Sequence, residues 1–136
     1  NRELKPFSIE TMPYPDFPTD LQAIFTTLAC AIKGKSDIKE NIYPDRFSNV
    51  PELIRMGADI TEEESSIIIR GGKKLSGADV QASDLRAGAA LVAAGAIAEG
   101  ITNVHRIYHI ERGYENLEDK LNKINIKTKK EKDDIL

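Results

Sequence analysis

Four side chains in this 136-residue chain combine a type suited to chemistry with matched positions in two similar stretches. Asp20 lies in Pro18-Thr19-Asp20-Leu21-Gln22-Ala23, and Asp84 in Ala82-Ser83-Asp84-Leu85-Arg86-Ala87. Each follows a hydroxyl residue at the head of an apolar stretch, where Asp is a helix-start signal. On the pattern alone, capping and chemistry are both open to these carboxylates. Arg46 and Arg112 form the second pair. Each stands twelve residues after a glycine, Gly34 or Gly100, past a β-prone segment and ahead of a helical pattern. A planar guanidinium suits bidentate binding of a carboxylate or phosphate, although the commonest place for arginine is a solvated surface.

Other candidates read as structural. Cys30 lies inside a helical pattern and reads as a small buried hydrophobe. His105 and His109 are four apart in a segment that alternates like a strand, which puts them on one face but too far apart to share a metal. No metal site and no cofactor are expected. With one cysteine the chain cannot form an internal disulfide, and a reducing compartment fits. A formal net charge of −3 argues against a nucleic-acid binder. The longest apolar run, Ala87 to Ala98, is too short to span a bilayer, so no membrane role is expected. The chain opens at Asn1 without an initiator methionine, which suggests a fragment or a processed chain.

The elements that must position these residues repeat at about 65 residues, longer than the common solenoid repeats. Phe7 to Thr11 reads as a strand, and Tyr14 to Pro18 as a loop set by two prolines. Asp20 to Lys33 reads as a helix with Leu21, Ile24, Phe25, Leu28 and Ile32 on its core face. Ser36 to Tyr43 is β-prone, Val50 to Met56 is helical, and Asp59 to Thr61 with Ser66 to Arg70 reads as a hairpin around Glu62-Glu63-Glu64. The second half then offers a strand at Ala78 to Ala82 and a helix over Leu85 to Ala98. A β-prone segment, Thr102 to Ile110, and a helix, Leu117 to Ile124, follow. Gly34 and Gly100 suit helix C-termini. The Leu85–Ala98 helix is apolar all round and is expected to be buried on every side. That predicts an α/β fold with helices inside and sheet outside, followed by a polar tail over residues 127–136.

Four stretches carry a resemblance. They are Tyr14-Pro15-Asp16-Phe17-Pro18-Thr19-Asp20-Leu21-Gln22-Ala23, Arg46-Phe47 with Leu53-Ile54-Arg55-Met56-Gly57-Ala58, Lys74-Leu75-Ser76-Gly77-Ala78 with Ser83-Asp84-Leu85-Arg86-Ala87, and Arg106-Ile107-Tyr108-His109-Ile110-Glu111-Arg112-Gly113-Tyr114-Glu115. In this order they resemble motifs of the UDP-N-acetylglucosamine enolpyruvyl transferases, over about Met12 to Lys123. The resemblance implies an inside-out α/β barrel of βαβαββ units with buried helices. Two such units would occupy residues 7–70 and 78–126 of a partial domain spanning 1–126. It also implies transfer of the enolpyruvyl group of phosphoenolpyruvate to the 3-hydroxyl of UDP-N-acetylglucosamine with release of phosphate. That is a cytoplasmic step of bacterial peptidoglycan synthesis.

The same resemblance implies residue roles. Asp20 would contact the sugar 3-hydroxyl and remove its proton. Ile42, through its backbone, and Tyr43 would lie beside the nucleotide-sugar. Arg46 and Arg112 would face phosphoenolpyruvate, and Asp84 would repeat the place of Asp20. The family's enolpyruvyl-binding cysteine, its lysine–asparagine pair and another anion-binding arginine have no counterpart here. The implied site is therefore incomplete in this chain and needs the missing N-terminal half as partner. Asp16 stands where glycine is usual, and Ile124-Asn125-Ile126 replaces a Leu-Gly-Ala-like close. Two alternatives are kept: a non-catalytic remnant or binding module, and the sister activity on shikimate 3-phosphate. The latter usually carries KE-DR and DHR motifs, where this chain has Ile110-Glu111-Arg112-Gly113 and Asp84-Leu85-Arg86.

Overall fold

The computed structural model describes residues 5–12, 21–42, 47–107 and 117–123. Six elements come first: β1 (Ser8–Glu10), α1 (Gln22–Ala31), β2 (Gly34–Lys39), α2 (Val50–Arg55), β3 (Asp59–Glu62) and β4 (Ser66–Gly71). Four follow in the order strand, helix, strand, helix: β5 (Asp79–Gln81), α3 (Leu85–Ile97), β6 (Asn103–His105) and α4 (Leu117–Lys123). The fold is mixed α/β. One sheet has the order β1-β2-β4-β3, with β1 parallel to β2 and the other pairs antiparallel; β5 and β6 form a second, parallel pair.

The two parallel pairs are built alike. Ile9 stands opposite Ile38, and Val80 opposite Val104. One residue beyond each first strand, an amide closes the ladder: Thr11 N–H donates to Lys39 O at 2.9 Å and Ala82 N–H to His105 O at 3.0 Å. Parallel neighbours need a long crossover, and α1 and α3 supply it.

Strand alternation sets the core. Ser36 and Ile38 of β2 and Ile67 and Ile69 of β4 point inward and are buried, while Lys35, Lys39 and Arg70 face solvent. On the outer face Arg70 pairs with Asp59 at 3.3 Å across the hairpin. The inner isoleucines join Cys30 of α1, Leu53 of α2 and Leu91 of α3 in one cluster. Each such side chain, fully buried, contributes roughly 1.5–3 kcal/mol. The hairpin and the Val50, Leu85 and Leu117 helices fall where the sequence places them.

Three expectations need correction. The core face of α1 is only partly its large residues: Ile32 at its end is buried and Phe25 and Leu28 are half-buried, but Leu21 and Ile24 are 44% and 38% exposed, and Ala23, Thr26, Thr27 and Cys30 are buried instead. Small residues face inward because α1 packs directly on α3, and close helix approach needs small side chains at the contact. Thr27 Oγ1 donates to Ala90 O at 3.2 Å across that contact. Second, α3 is not buried all round. Ala87, Gly88, Ala90, Leu91 and Ala94 form its buried stripe, and Ile97 is exposed. Third, neither helix ends on its glycine. Ile32 and Ala98 cap them in extended conformation, and Gly34 and Gly100, with φ of 121° and 85°, lie two residues further on, past the end of the helix.

Gly71 closes the sheet against α1. A Cβ there would run into the carbonyl oxygens of Ala29 and Ile32, which are backbone atoms of the helix end. Gly71→Ala is expected to destabilise the fold by about 1–3 kcal/mol, read as a lower urea midpoint at unchanged slope.

Candidate functional site

The residues singled out for chemistry share a topological place. Asp20 follows β1 in the chain, Ile42, Tyr43 and Arg46 follow β2, Asp84 follows β5, and Arg112 follows β6. Each belongs to the stretch leaving the C-terminal end of a parallel strand, the edge where open α/β sheets bind ligands. Asp20, Tyr43, Arg46 and Arg112 lie outside the described residues, as do His109 and the polar tail. Ile42 and Asp84 are described. The stretches that follow β2 and β5 touch: the hydroxyls of Ser48, just before α2, and Ser83, next to Asp84, are hydrogen-bonded at 3.0 Å.

Asp84 is the N-cap of α3. Its Oδ1 accepts from the Ala87 amide at 2.8 Å, and its carbonyl accepts from the Gly88 amide at 2.9 Å. The extended backbone, φ −158° and ψ 180°, turns the side chain over the first turn, satisfying a donor that the helix cannot. Arg86 lies on that first turn, half-buried.

Ile42 is held by a polar cluster that the sequence reading missed. Glu40 is 1% exposed and Thr11 is fully buried. Glu40 Oε2 accepts from Thr11 Oγ1 at 2.7 Å and from the Ile42 amide at 3.0 Å. Thr11 Oγ1 in turn accepts from the Asn41 amide at 2.9 Å. The Asn41 side-chain amide reaches Glu10 Oε1 at 2.8 Å and Thr11 O at 2.9 Å. The Glu40 amide donates to Ser65 O at 2.7 Å, which ties the cluster to the hairpin. A signal was available: Ser36, Ile38 and Glu40 continue one inward alternation, so the carboxylate falls on the core side. Glu40 thus occupies the Ile42 N–H.

Two further groups qualify the site. The Asn49 amide is buried and makes no hydrogen bond among the described residues. Cys30 is buried in the core, and burial pushes its thiol from 9.0 up to about 11. Among the described residues, no group of three or more His, Cys, Asp or Glu side chains could hold a metal ion, and no helix is long and apolar enough to cross a membrane. His105 pairs at 3.8 Å with Asp79 on the neighbouring strand.

The fold is that of the enolpyruvyl transferases. The chain belongs to the EPSP synthase (3-phosphoshikimate 1-carboxyvinyltransferase) family, whose model matches residues 1–121. It is 56% identical over 120 residues to the UDP-N-acetylglucosamine 1-carboxyvinyltransferase of Elusimicrobium minutum (strain Pei191), covering 88% of this chain and 28% of that protein. It is 52% identical over 125 residues to UDP-N-acetylglucosamine 1-carboxyvinyltransferase 1 of Clostridium acetobutylicum, covering 92% of this chain and 30% of that one. Among solved structures, the enolpyruvyl transferase NikO from Streptomyces tendae superposes with a TM-score of 0.80 at 29% identity, over 90% of this chain and 28% of that one. EPSP synthase from Acinetobacter baumannii has the same fold, with a TM-score of 0.75 at 19% identity, over 82% of this chain and 28% of that one. The chain thus spans under a third of the length of the curated relatives it matches. The family is enzymatic, and these curated relatives are transferases.

Two outcomes follow. Asp84→Ala removes the cap and is expected to cost about 1 kcal/mol, whereas Asp84→Asn keeps most of it; thermal unfolding of both variants checks this. The raised Cys30 value means that the folded state holds the thiol proton more tightly than the unfolded state. Its contribution is complete below pH 9.0 and is lost as pH rises towards about 11. Urea titrations across that window are expected to show a fall in stability that is smaller in Cys30→Ala.

Proposed function

We propose that this chain is the C-terminal part of a UDP-N-acetylglucosamine 1-carboxyvinyltransferase. The observation that carries this reading is the 56% identity to such an enzyme over 88% of the chain. The place of all six candidate residues in the chain, each after a strand of a parallel pair, supports it. The same identity favours UDP-N-acetylglucosamine over shikimate 3-phosphate as acceptor.

In this reading residues 1–126 form part of an inside-out barrel with units at 7–70 and 78–126, ahead of a polar tail at 127–136. The rest of the site comes from an N-terminal half. Asp20 accepts the proton of the sugar 3-hydroxyl as general base. The hydroxyl oxygen forms its bond to the enolpyruvyl carbon, the carbon–oxygen bond to phosphate breaks, and the proton ends on the departing phosphate. Arg46 and Arg112 hold the phosphate and carboxylate of phosphoenolpyruvate through paired N–H donors and stabilise charge as it develops. Ile42 and Tyr43 line the nucleotide-sugar side, and Asp84 closes the equivalent corner of the second unit. The reaction would serve peptidoglycan synthesis in the cytoplasm.

The test replaces the matching segment of the full-length Elusimicrobium minutum enzyme with this chain. Phosphate release from phosphoenolpyruvate is expected to require UDP-N-acetylglucosamine and not to respond to shikimate 3-phosphate. Asp20→Asn is expected to lower kcat by about 10²–10⁴. Arg46→Lys and Arg112→Lys, which keep charge but lose the planar fork, are each expected to lower kcat/KM for phosphoenolpyruvate by about 10²–10³. A chimera that folds without turnover, or turns over with Arg46 and Arg112 both dispensable, overturns the reading.

A further inference from the structure

The two parallel pairs provide an internal comparison. In each, the residue after the first strand donates its amide to the last residue of the second strand: Thr11 to Lys39, and Ala82 to His105. The residue just past the second strand is Glu40 in the first pair and Arg106 in the second. Backbone pairing is the same, but the side chains differ in kind. The first pair buries a hydroxyl and a carboxylate, hydrogen-bonded at 2.7 Å. The second has a buried methyl at Ala82 and an exposed Arg106 with φ of 61°. The strand–helix–strand unit therefore forms without a buried acid, and the Thr11–Glu40 pair serves something other than strand pairing.

Its bonds point to what that is. Thr11 Oγ1 takes the Asn41 amide and Glu40 Oε2 takes the Ile42 amide, so two successive amides beyond β2 are held by buried side chains at the ends of β1 and β2. The Asn41 side chain returns to Glu10 and Thr11, locking the same corner from the other side. We propose that Thr11 and Glu40 are positioning residues: a buried hydroxyl–carboxylate clasp that fixes the backbone of Asn41 and Ile42 and so the place from which Ile42 meets the nucleotide-sugar. This rests on the function proposed above, and neither residue touches substrate in that reading. The clasp acts by setting one backbone direction at the entrance to the stretch that carries Tyr43 and Arg46. A buried carboxylate that takes the Thr11 hydroxyl and the Ile42 amide, with that hydroxyl taking the Asn41 amide, leaves the corner few alternative conformations.

The experiment uses the same full-length chimera. Thr11→Val keeps shape and burial but removes the hydroxyl, and Thr11→Ser restores it. Glu40→Gln keeps an acceptor oxygen for Thr11 and Ile42, and Glu40→Leu removes it. Activity is read at a temperature where every variant is fully folded. Thr11→Val and Glu40→Leu are expected to lower kcat/KM for UDP-N-acetylglucosamine at least tenfold. Thr11→Ser and Glu40→Gln should stay within about threefold of the parent. Amide exchange is the second readout and does not depend on turnover. Thr11→Val is expected to speed exchange at Asn41, which loses its acceptor, and also at Ile42, whose amide bonds to Glu40 and not to Thr11. Two results overturn the proposal: parent-like kcat/KM in Thr11→Val and Glu40→Leu, or faster exchange confined to Asn41. An inactive parent chimera counts against the proposed function instead, and the exchange pattern still decides whether the clasp orders Ile42.

Discussion

Parallel pairing of β1 with β2, and of β5 with β6, is the constraint from which the rest follows. Two parallel neighbours cannot be joined by a tight turn, so each pair must carry a helix across the sheet. The crossover helices α1 and α3 then meet each other, and their contact sets which residues can face inward. It also sets where chemistry can sit. Parallel strands end side by side at the same edge, so the stretches that leave them start as neighbours. The Ser48–Ser83 hydrogen bond joins the stretch that follows β2 to the one that follows β5.

Much of this was legible in the sequence because the signals were local. Asp84 announces the start of α3 through the oxygen that caps it. The alternation in Ser66–Gly71 and the acidic turn before it define the hairpin. The paired spacings Gly34 to Arg46 and Gly100 to Arg112 mark two copies of one plan. What failed depended on partners far along the chain. The reading of α1 weighted its large residues, yet its neighbour is another helix. Against a helix, Ala23, Thr27 and Cys30 allow an approach that Leu21 and Ile24 would block. Nothing within residues 20–33 states what lies opposite. Of the candidate site, the sequence fixes which strand each residue follows, and the structure describes Ile42 and Asp84 directly.

Glu40 shows the same limit from the polar side. A glutamate one position past a strand normally reads as solvated, because burying a carboxylate costs several kcal/mol unless its oxygens are satisfied. Here Thr11, 29 residues earlier, and the Ile42 amide meet that cost. The alternation of Ser36, Ile38 and Glu40 was the one sequence clue to its direction. Its partner could come only from the register that places Glu10 beside Lys39.

The contact between α1 and α3 has a further consequence. Two helices meeting through alanine, threonine and glycine present nearly smooth cylinders to each other, with few ridges to resist sliding along their axes. The Thr27 hydroxyl bound to the Ala90 carbonyl acts as a detent on that surface. It is directional where the surrounding contact is not, and a slip of one rung would take the buried Thr27 hydroxyl away from the Ala90 carbonyl. One hydroxyl thereby indexes the first crossover helix against the second, and with them the heights at which the two strand edges stand.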